Sequence, residues 1–418
     1  MPGPSLVLRN VTLPSGRVAD ISLGEGKVIH TGSTAGSPDT IDCTGMFVLP
    51  AAIDVHVHMR GGTQSEKEDW TTGSKSAIAG GVTVVVDQPN TVPPISSPET
   101  FEKRVSDAQK HSFCNFAINS GVTPDTPFEA MWQAGAIAFG ETFFAPSSYG
   151  DAIGGDDLSL ALKQIHALGG LATVHAEEIA AGTDTDLVSH DSARSTGGET
   201  QAVRTVQQLN TSGCRLHFCH LSSADSVDAA NGSFEVTPHH LFLSRERFGN
   251  HDTTGKVNPP LRSEKERKRL WKRWNRINIV ASDHAPHTKE EKMQEFSRAP
   301  SGIPGVETMV PLLMAQVIAK KITVPSVIQK TSTAPADLLG IPRPGFETGD
   351  RADFAVYPKK TVLISGNQLH SKCGWTPFEG FPGVFPEIVI MDGHVVFNRG
   401  EFFRSRPTWY HGKGFRLQ

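Results

Sequence analysis

The sequence has little that would attach it to a membrane or to nucleic acid. No apolar run approaches the roughly 20 residues that a helix needs to cross a bilayer. Residues 1–5 contain neither the basic nor the apolar part of a signal peptide. The 40 Lys and Arg are balanced by 44 Asp and Glu, so the net charge of -4 offers no attraction for polyanions. We therefore expect a cytoplasmic protein without nucleic-acid or membrane partners.

Cysteine is also scarce. The cysteines are odd in number, widely separated and without a Cys-x-x-Cys pair: Cys43, Cys114, Cys214, Cys219 and Cys373. Such a set argues against a disulfide framework and is typical of a reducing compartment.

Apolar segments, by contrast, recur at regular intervals between residues 50 and 345. Eight candidate strands alternate with helical stretches, which is the pattern of βα units around a parallel sheet. The strands are expected at 51–58, 83–87, 115–119, 136–143, 171–175, 215–220, 234–237 and 277–283. Eight units predict an α/β protein with a (β/α)8 TIM barrel, for which about 250 residues suffice.

The two ends of the chain have a different composition. Residues 5–49 and the segments 353–357, 361–364, 387–391 and 394–398 are typical of short strands separated by turns. The simplest arrangement is one small β-sandwich domain built from both termini, 1–49 and 346–418. It would lie beside a catalytic barrel that spans 50–345.

The apolar run 46–53 is predicted to be one buried strand, and it leads into Asp54, His56 and His58. Side chains alternate along a strand, so His56 and His58 lie on one face. Two adjacent imidazoles form half of a metal site. The alternative is a pair of histidines at an ordinary turn.

The ends of the other candidate strands favour the metal site. In TIM barrels the active site lies at the carboxyl ends of the strands. Here those ends carry polar side chains, most of which can bind a metal: Asp54, His56, His58, Asp87, Gln88, Asn90, Glu141, His175, His220, His239, His240 and Asp283. Several imidazoles with carboxylates and open positions are typical of a catalytic metal site.

Six segments resemble, in order, the signature blocks of the dihydroorotase family in the amidohydrolase superfamily. They are His56-Val57-His58-Met59-Arg60, Gln88-Pro89-Asn90-Thr91, Val174-His175-Ala176-Glu177, His220-Leu221-Ser222-Ser223, Thr237-Pro238-His239-His240 and Asp283-His284-Ala285-Pro286-His287. The resemblance covers essentially the whole chain, including 301–307 and 376–380. It implies a metal-dependent hydrolase that interconverts (S)-dihydroorotate and N-carbamoyl-L-aspartate through a metal-bound hydroxide, in de novo pyrimidine (UMP) biosynthesis.

The resemblance also implies the metal ligands. His56, His58 and Asp283 would hold one ion and His175 and His220 a second, with Zn2+ as the cofactor. Asp283 would in addition be the general base. The alternative for Asp283 is the cap of a helix at a βα junction.

Three further residues resemble the substrate-binding set of the family: Arg60, Asn90 and His287. Arg60 would meet a substrate carboxylate with paired hydrogen bonds, and Asn90 would supply a donor and an acceptor. The alternatives are a surface ion pair for Arg60 and a supporting position for His287. Residues 301–305 would form a glycine-rich lip over the substrate or only shape a turn.

Two segments depart from the family. Many members have a lysine at the end of the fourth strand, whose carbamate bridges two metals. This chain has no lysine between Lys110 and Lys163, and Glu141 takes the matching position. Glu141 has a shorter arm, so it either bridges two metals, with Gly140 allowing a close approach, or reaches only one. The second departure is Arg60-Gly61-Gly62-Thr63 in place of Arg-Glu-Pro-Gly, which predicts a looser loop.

Four other residues are expected outside the metal site. On a strand, His217 and Cys219 would point away from His220, so His217 is expected in packing and thiolate ligation is disfavoured. His239 and His240 are expected to support the site or the fold.

Alternative functions remain beside dihydroorotase activity. A hydantoinase or allantoinase would use the same chemistry on neutral five-membered rings, whereas Arg60 and Asn90 favour a substrate with a carboxylate. An inactive dihydroorotase-like scaffold is the other alternative, although its ligands would be expected to degenerate. The expected partners are a small-molecule substrate and either a second copy of the chain or aspartate transcarbamoylase.

Overall fold

The computed structural model describes residues 4–33, 39–144 and 152–416. Its central feature is a ring of eight parallel strands, all within the segments predicted from the sequence or one residue outside them. In chain order these strands are Ala52–Val57, Val82–Asp87, Asn115–Ile118, Phe139–Phe143, Leu171–His175, Arg215–Phe218, Ser233–Val236 and Ile279–Val280. Most are buried on both faces, which explains why they read as continuous apolar runs.

The eight strands follow one another around the ring in chain order. The first three form one parallel sheet and the last five form another. Isolated parallel bridges join the two sheets at both ends, between Ser120 and Phe139 and between Val57 and His284. The predicted TIM-barrel architecture is confirmed, so the carboxyl ends of the strands converge at one end of the ring.

Helices connect and surround the strands. They are Trp70–Ala79, Pro98–His111, Phe128–Ala134, Gly155–Ala167, Leu187–Ala193, Thr196–Leu209, Ala224–Ala229, Pro238–Phe242, Glu264–Trp271, Lys289–Lys292, Val306–Ile318, Val324–Ile328 and Ala334–Leu339. Shorter 3-10 turns lie at Gly62–Gln64, Arg245–Arg247, Thr253–Gly255 and Gly366–Gln368, and a π turn at Gln329–Thr333. None of the described helices is long and apolar enough to cross a membrane.

The apolar run 46–53 is not one strand, and this prediction was wrong. Phe47–Pro50 pairs antiparallel with Phe354–Tyr357, whereas Ala52–Val57 pairs parallel with Val82–Asp87. The chain changes sheets at Ala51, whose backbone N–H donates to Asp353 O (2.9 Å). Both halves of the run are apolar and buried, so hydropathy does not mark the change.

Two antiparallel-rich sheets lie beside the barrel and come from both ends of the chain. One sheet contains Leu6–Thr12, Val18–Gly24, Lys27–Gly32 and Thr40–Asp42. The other contains Phe47–Pro50, Phe354–Tyr357, Ile388–Met391, His394–Asn398 and Glu401–Phe402. Leu8, Ile21, Val48, Phe354 and Ile390 of the two sheets pack in one hydrophobic cluster. The short pair Val362–Leu363 and Pro382–Gly383 forms a separate hairpin-like contact. The domain boundaries at 49/50 and 345/346 stay predictions.

Candidate active site

A cavity of about 280 Å³ opens at the carboxyl ends of the barrel strands. It brings together eight of the nine residues expected from the sequence: His58, Arg60, Asn90, Glu141, His175, His220, Asp283 and His287. The ninth, His56, does not line the cavity but contacts Glu141 and Asp283 beneath it. We call these three residues, with His58, His175 and His220, the floor of the cavity. Residues from six strand ends thus meet in one place, as the barrel geometry requires.

Glu141 lies at the centre of this group, and its two oxygens face different histidines. Oε1 is 2.9 Å from His175 Nδ1 and 2.8 Å from His220 Nε2. Oε2 is 3.6 Å from His56 Nε2 and accepts a hydrogen bond from Asn90 Nδ2 (3.1 Å). The carboxylate therefore stands between two sets of imidazoles, in the position that a bridging ligand would take.

Gly140 lets Glu141 take this position. Its φ of +130° lies in the region that side chains rarely adopt, and a Cβ atom there would overlap the carbonyl oxygen of Thr173. The close approach of the fourth strand to the fifth therefore requires glycine at position 140.

Asp283 faces the two histidines of the first barrel strand. Its Oδ1 is 3.2 Å from His58 Nε2 and 3.6 Å from His56 Nε2. The next helix, Lys289–Lys292, begins instead with Thr288, whose hydroxyl accepts from the N–H of Glu291. Asp283 is therefore not a helix cap, and its carboxylate is directed into the cavity.

The electrostatics of the floor favour positive charge. Burial alone would lower the pKa of His56, but Glu235 and Glu141 outweigh it and raise that pKa well above its usual value. Burial would raise the pKa of Asp283, but His58 and His56 hold it well below its usual range. Carboxylates that stabilise a proton on His56 would equally stabilise a divalent cation at the same place.

The donor atoms of the floor fit divalent metal ions. Three groups of described residues have ligand atoms within 4.8 Å of one another, and two of them contain Glu141: His56, His58, Glu141 and Glu141, His175, His220. Nε2 of His56 is buried and has no hydrogen-bond partner among the described residues. A buried ring nitrogen without a hydrogen-bond partner destabilises a protein core, but it is free to bind a metal ion. Nitrogen and carboxylate donors in this number are typical of zinc and related ions.

Glu235 is a residue of this site that the sequence argument missed. Its Oε1 accepts from Nδ1 of His56 (2.6 Å), which leaves Nε2 to face the cavity floor. Its Oε2 is 2.9 Å from His217 Nε2, and His217 Nδ1 is 2.8 Å from Ser233 Oγ. A carboxylate behind a metal-binding histidine fixes the orientation of the ring. The available signal was an acidic residue inside a buried strand, because a buried carboxylate needs a partner.

A second carboxylate, Glu177, has the same relation to His175. Its Oε2 is 2.6 Å from His175 Nε2, and it accepts from Arg194 Nη1 (2.6 Å). Arg194 also lines the cavity. Histidines from two different strands are thus each held from behind by an ionised glutamate.

Two expectations about the sixth strand need correction. His217 is buried as expected, but it hydrogen-bonds to Glu235 rather than only packing. Cys219 does not point away from the site, because its Sγ lies within 4.8 Å of ligand atoms of His56 and Glu235. The strand ends at Phe218, and His220 has a φ of +32°, so strict alternation no longer applies there. Burial raises the pKa of the Cys219 thiol to about 12, which disfavours thiolate ligation.

His239 and His240 are buried near the floor, and neither lines the cavity. His240 is fixed by contacts with Thr237 Oγ1 (2.8 Å) and Pro259 O (3.0 Å). Burial lowers the pKa of His239 to about 4, so its ring is neutral. The supporting role expected for both histidines stays a prediction.

The expected substrate-binding residues form the rim of the cavity. Arg60 is buried with a φ of +46°, and its carbonyl accepts from Arg104 Nη1 (2.6 Å), while Arg104 Nε donates to Asp87 Oδ2 (2.7 Å). The backbone at Arg60 is thus held in place despite the two glycines that follow it. His287 Nε2 lies 3.3 Å from Arg60 Nη2.

Lys67 is a cation of the rim that the sequence argument did not single out. Its Nζ is 2.6 Å from Glu291 Oε1 and 3.4 Å from His287 Nδ1. The rim therefore combines Arg60 and Lys67, whereas the floor is rich in carboxylates. The rim is thus the part of the cavity that would attract the anionic end of a ligand.

Known proteins resemble this chain along nearly its whole length. No protein-family model matches it. A dihydroorotase of Methanosarcina acetivorans is 38% identical over 431 aligned positions, which cover 93% of this chain and 92% of the relative. A dihydroorotase of Halobacterium salinarum is also 38% identical, and the alignment covers 94% of this chain and 96% of the relative. The structure of an L-hydantoinase (dihydropyrimidinase) from Arthrobacter aurescens matches with a TM-score of 0.90 at 26% identity, covering 97% and 99% of the two chains.

Proposed function

We propose that this chain, which belongs to the dihydroorotase family, catalyses the reversible hydrolysis of (S)-dihydroorotate to N-carbamoyl-L-aspartate. The observation that carries the proposal is the pairing of a cationic rim, with Arg60, and a floor whose two donor groups share Glu141. The substrate has a carboxylate at one end of its ring and a cyclic imide at the other. The carboxylate would therefore lie at the cationic rim, and the imide would lie at the floor.

The cofactor in this proposal is a pair of zinc ions. His56, His58 and Asp283 would hold one ion, His175 and His220 the other, and the oxygens of Glu141 would contact both. A bound divalent ion would lower the pKa of a water molecule and polarise the ring carbonyl. Glu141 itself needs no CO2 to supply its two oxygens, in contrast to a lysine carbamate.

Asp283 is the general base in this proposal. His58 and His56 hold its pKa well below the usual range, so its carboxylate is ionised. A bound divalent ion would make the water acidic enough to give this carboxylate a proton. Water then attacks the ring carbonyl, the carbon–nitrogen bond breaks, and Asp283 returns the proton to the leaving nitrogen. Hydrolysis also forms a carboxylic acid that ionises, so one proton is released overall.

The rim residues orient the substrate. Arg60 would pair with the ring carboxylate, and Asn90 Nδ2, now bonded to Glu141, would turn between Glu141 and the substrate. His287 is neutral because burial lowers its pKa to about 3. A neutral imidazole can take part in the rim without adding charge.

Metal analysis of Glu141→Ala tests the two-metal centre. We expect the variant to retain at most one zinc per chain and to lose most of its activity, because both donor groups contain Glu141. Glu129→Ala, at an exposed position, is the matched control. Two zinc ions and full activity in Glu141→Ala would remove this residue from the site. Dependence of metal-free enzyme on bicarbonate for reactivation would contradict a non-carbamate centre.

Substrate preference separates this proposal from its alternative. The alternative is a hydantoinase function. It is favoured by the structural similarity to the L-hydantoinase, which by its name acts on hydantoin-type rings. We expect purified, zinc-loaded protein to turn over dihydroorotate and to act weakly on hydantoin and allantoin. The opposite preference would support the hydantoinase function. A folded protein that binds no zinc and turns over none of the three would support the inactive scaffold.

The pH dependence of the equilibrium gives an independent signature of the reaction. Ring closure takes up one proton, so each unit of decreasing pH shifts the ratio of dihydroorotate to carbamoyl-aspartate upward by about tenfold. We expect the enzyme to reach the same ratio from either side at each pH. A ratio that did not change with pH would mean that another reaction is measured.

Assembly and location complete the proposal. We expect a cytoplasmic enzyme that forms a homo-oligomer or associates with aspartate transcarbamoylase. Sedimentation of the purified chain, alone and mixed with aspartate transcarbamoylase, tests both associations. A single monomeric species under both conditions would contradict them.

A further inference from the structure

One side of the substrate cavity is formed by a loop whose carbonyl groups are all occupied. Pro300, Ser301 and Gly302 line the cavity. The carbonyls of Pro300 and Gly302 accept hydrogen bonds from Lys292 Nζ. The Ser301 carbonyl oxygen lies 3.1 Å from His287 Nε2. The Ile303 carbonyl accepts a hydrogen bond from the N–H of Ala285 (2.9 Å). Four consecutive carbonyls are thus bound by the segment 285–292.

Lys292 binds two of these four carbonyls and a third one outside the loop. Its Nζ donates to Pro300 O at 3.0 Å, Gly302 O at 3.1 Å and Lys256 O at 3.0 Å. An ammonium group has three N–H donors, so these carbonyls use all of them. The residues after Lys256, Val257 and Asn258, line the same cavity. Lys292 therefore joins two cavity walls, which the hydrogen bond from Gly302 N–H to Lys256 O (3.1 Å) also links.

This lysine is unusual for a buried cation. The residue is 2% exposed, and no carboxylate among the described residues lies within ion-pair distance of its Nζ. Burying a charge without an ion-pair partner is costly, and an apolar residue would pack there at a lower cost in free energy. Only the charged ammonium form has three N–H donors, so we explain the buried charge by the three carbonyls that it holds in place.

The loop is also connected to the rim residues. The Ser301 carbonyl has no proton to give, so its contact with His287 needs the ring proton on Nε2. The neighbour of Lys292 on the same short helix, Glu291, contacts Lys67 (2.6 Å) and His287 (3.3 Å) through its carboxylate. Gly302 has a φ of +136°, and a Cβ atom there would lie 2.6 Å from Ala285 O. The close approach of the loop to Ala285 therefore requires glycine at position 302.

We propose that Lys292 is a positioning residue that clamps the loop 300–302 to residue 256 and so fixes the cavity wall that meets the substrate ring. This inference rests on the proposed function for its substrate. Because Lys292 lies away from the metal ligands, its loss should weaken substrate binding and leave zinc binding unchanged.

The protonation of Lys292 gives the clamp a pH dependence. Burial and the charge of Lys256 lower its pKa to about 7, while Asp252 and Glu291 raise it. The third hydrogen bond is therefore lost as the pH rises through 7. The aromatic ring of Trp375, 5.8 Å from Nζ, carries no titratable charge.

The test compares Lys292→Met with Lys289→Met, an exposed lysine on the same helix. In Lys292→Met we expect the KM for dihydroorotate to rise about tenfold at pH 6.5, kcat to change less than threefold and zinc content to stay equal. Hydrogen–deuterium exchange of peptides containing 298–304 should become faster. Lys289→Met should change none of these quantities. Between pH 6.5 and 8.5 the difference in KM between wild type and Lys292→Met should narrow.

Other outcomes would overturn the inference. Unchanged KM and unchanged exchange in Lys292→Met would remove the clamp, as would parallel losses of kcat and zinc. If Lys292→Met does not fold, Lys292→Gln retains two donors and should show the same changes at smaller size; wild-type behaviour in that variant would count against the clamp. Hydrogen exchange does not depend on substrate, so faster exchange in a protein inactive on dihydroorotate would contradict the proposed function but not the clamp.

Discussion

The floor and the rim of the cavity have opposite charge surroundings. On the floor, Glu141 and Glu177 raise the pKa of His175 to about 9, although burial alone would lower it. On the rim, burial together with Arg60 and Lys67 lowers the pKa of His287 to about 3, although Glu291 opposes the change. The surroundings of the floor therefore favour positive charge, whereas those of the rim disfavour it. Changes on the floor should therefore affect metal binding or kcat, and changes on the rim should affect KM.

The largest expected effect comes from Asp283 on the floor. Asp283→Asn keeps the size of the side chain but removes the base, so we expect kcat to fall by about 10² to 10⁴-fold. KM should change little, since Arg60 remains. Steady-state kinetics at matched zinc content measure both quantities. An unchanged kcat would mean that another group takes the proton.

Glu235 tests whether the floor depends on support from below. Glu235→Gln removes the negative charge that orients His56, so we expect zinc affinity to fall roughly 10 to 100-fold. Competition with a chelator measures the zinc dissociation constant, with the exposed Glu102→Gln as the control. Equal affinity in the two variants would show that His56 keeps its orientation without this carboxylate.

Arg60 tests the rim in the same way. Hydrogen bonds to a charged group contribute about 1.5 to 3 kcal/mol, so Arg60→Met should raise the KM for dihydroorotate roughly 10 to 100-fold. Zinc content should stay equal to that of the exposed-site control Arg404→Met. Loss of zinc in Arg60→Met would break the division between floor and rim.

The smallest effect concerns stability in acid. The pKa of His287 falls from an ordinary 6.5 to about 3 on burial, so below pH 6.5 only the unfolded chain takes up this proton. The stability that the neutral ring contributes is therefore present above pH 6.5 and lost as the pH falls toward 3, by about 1 kcal/mol at pH 5.5. Urea unfolding at pH 7.5 and 5.5 should show a smaller loss in His287→Asn than in wild type. Equal losses would mean that the ring is not buried in its neutral form.

Sequence reasoning located most of the floor, because barrel strands place their carboxyl ends together. His56, His58, His175, His220 and Asp283 each follow a short apolar run, and periodicity identifies such runs directly. The rim residue Arg60 was found through its motif, but the support of its carbonyl by Arg104 comes from another helix.

What sequence reasoning missed depends on contacts between distant segments. Glu235 and His56 are 179 residues apart in the sequence. Lys292 binds backbone carbonyls, which every residue has, so no residue type marks its partners in the sequence. The alternation rule failed at Cys219 because the strand had already ended at Phe218. The change of sheets at Ala51 was missed because both strands there are equally apolar.

That change of sheets also limits how the protein can be divided. Phe47–Pro50 covers one edge of Phe354–Tyr357, and the chain enters the first barrel strand two residues later, with His56 close behind. A barrel produced from residue 50 onward would leave the edge of Phe354–Tyr357 without its partner and expose Phe354 of the shared cluster. Unpaired apolar edges associate with one another. The barrel is thus expected to aggregate when residues 1–49 are removed, even though none of the proposed metal ligands lies among them.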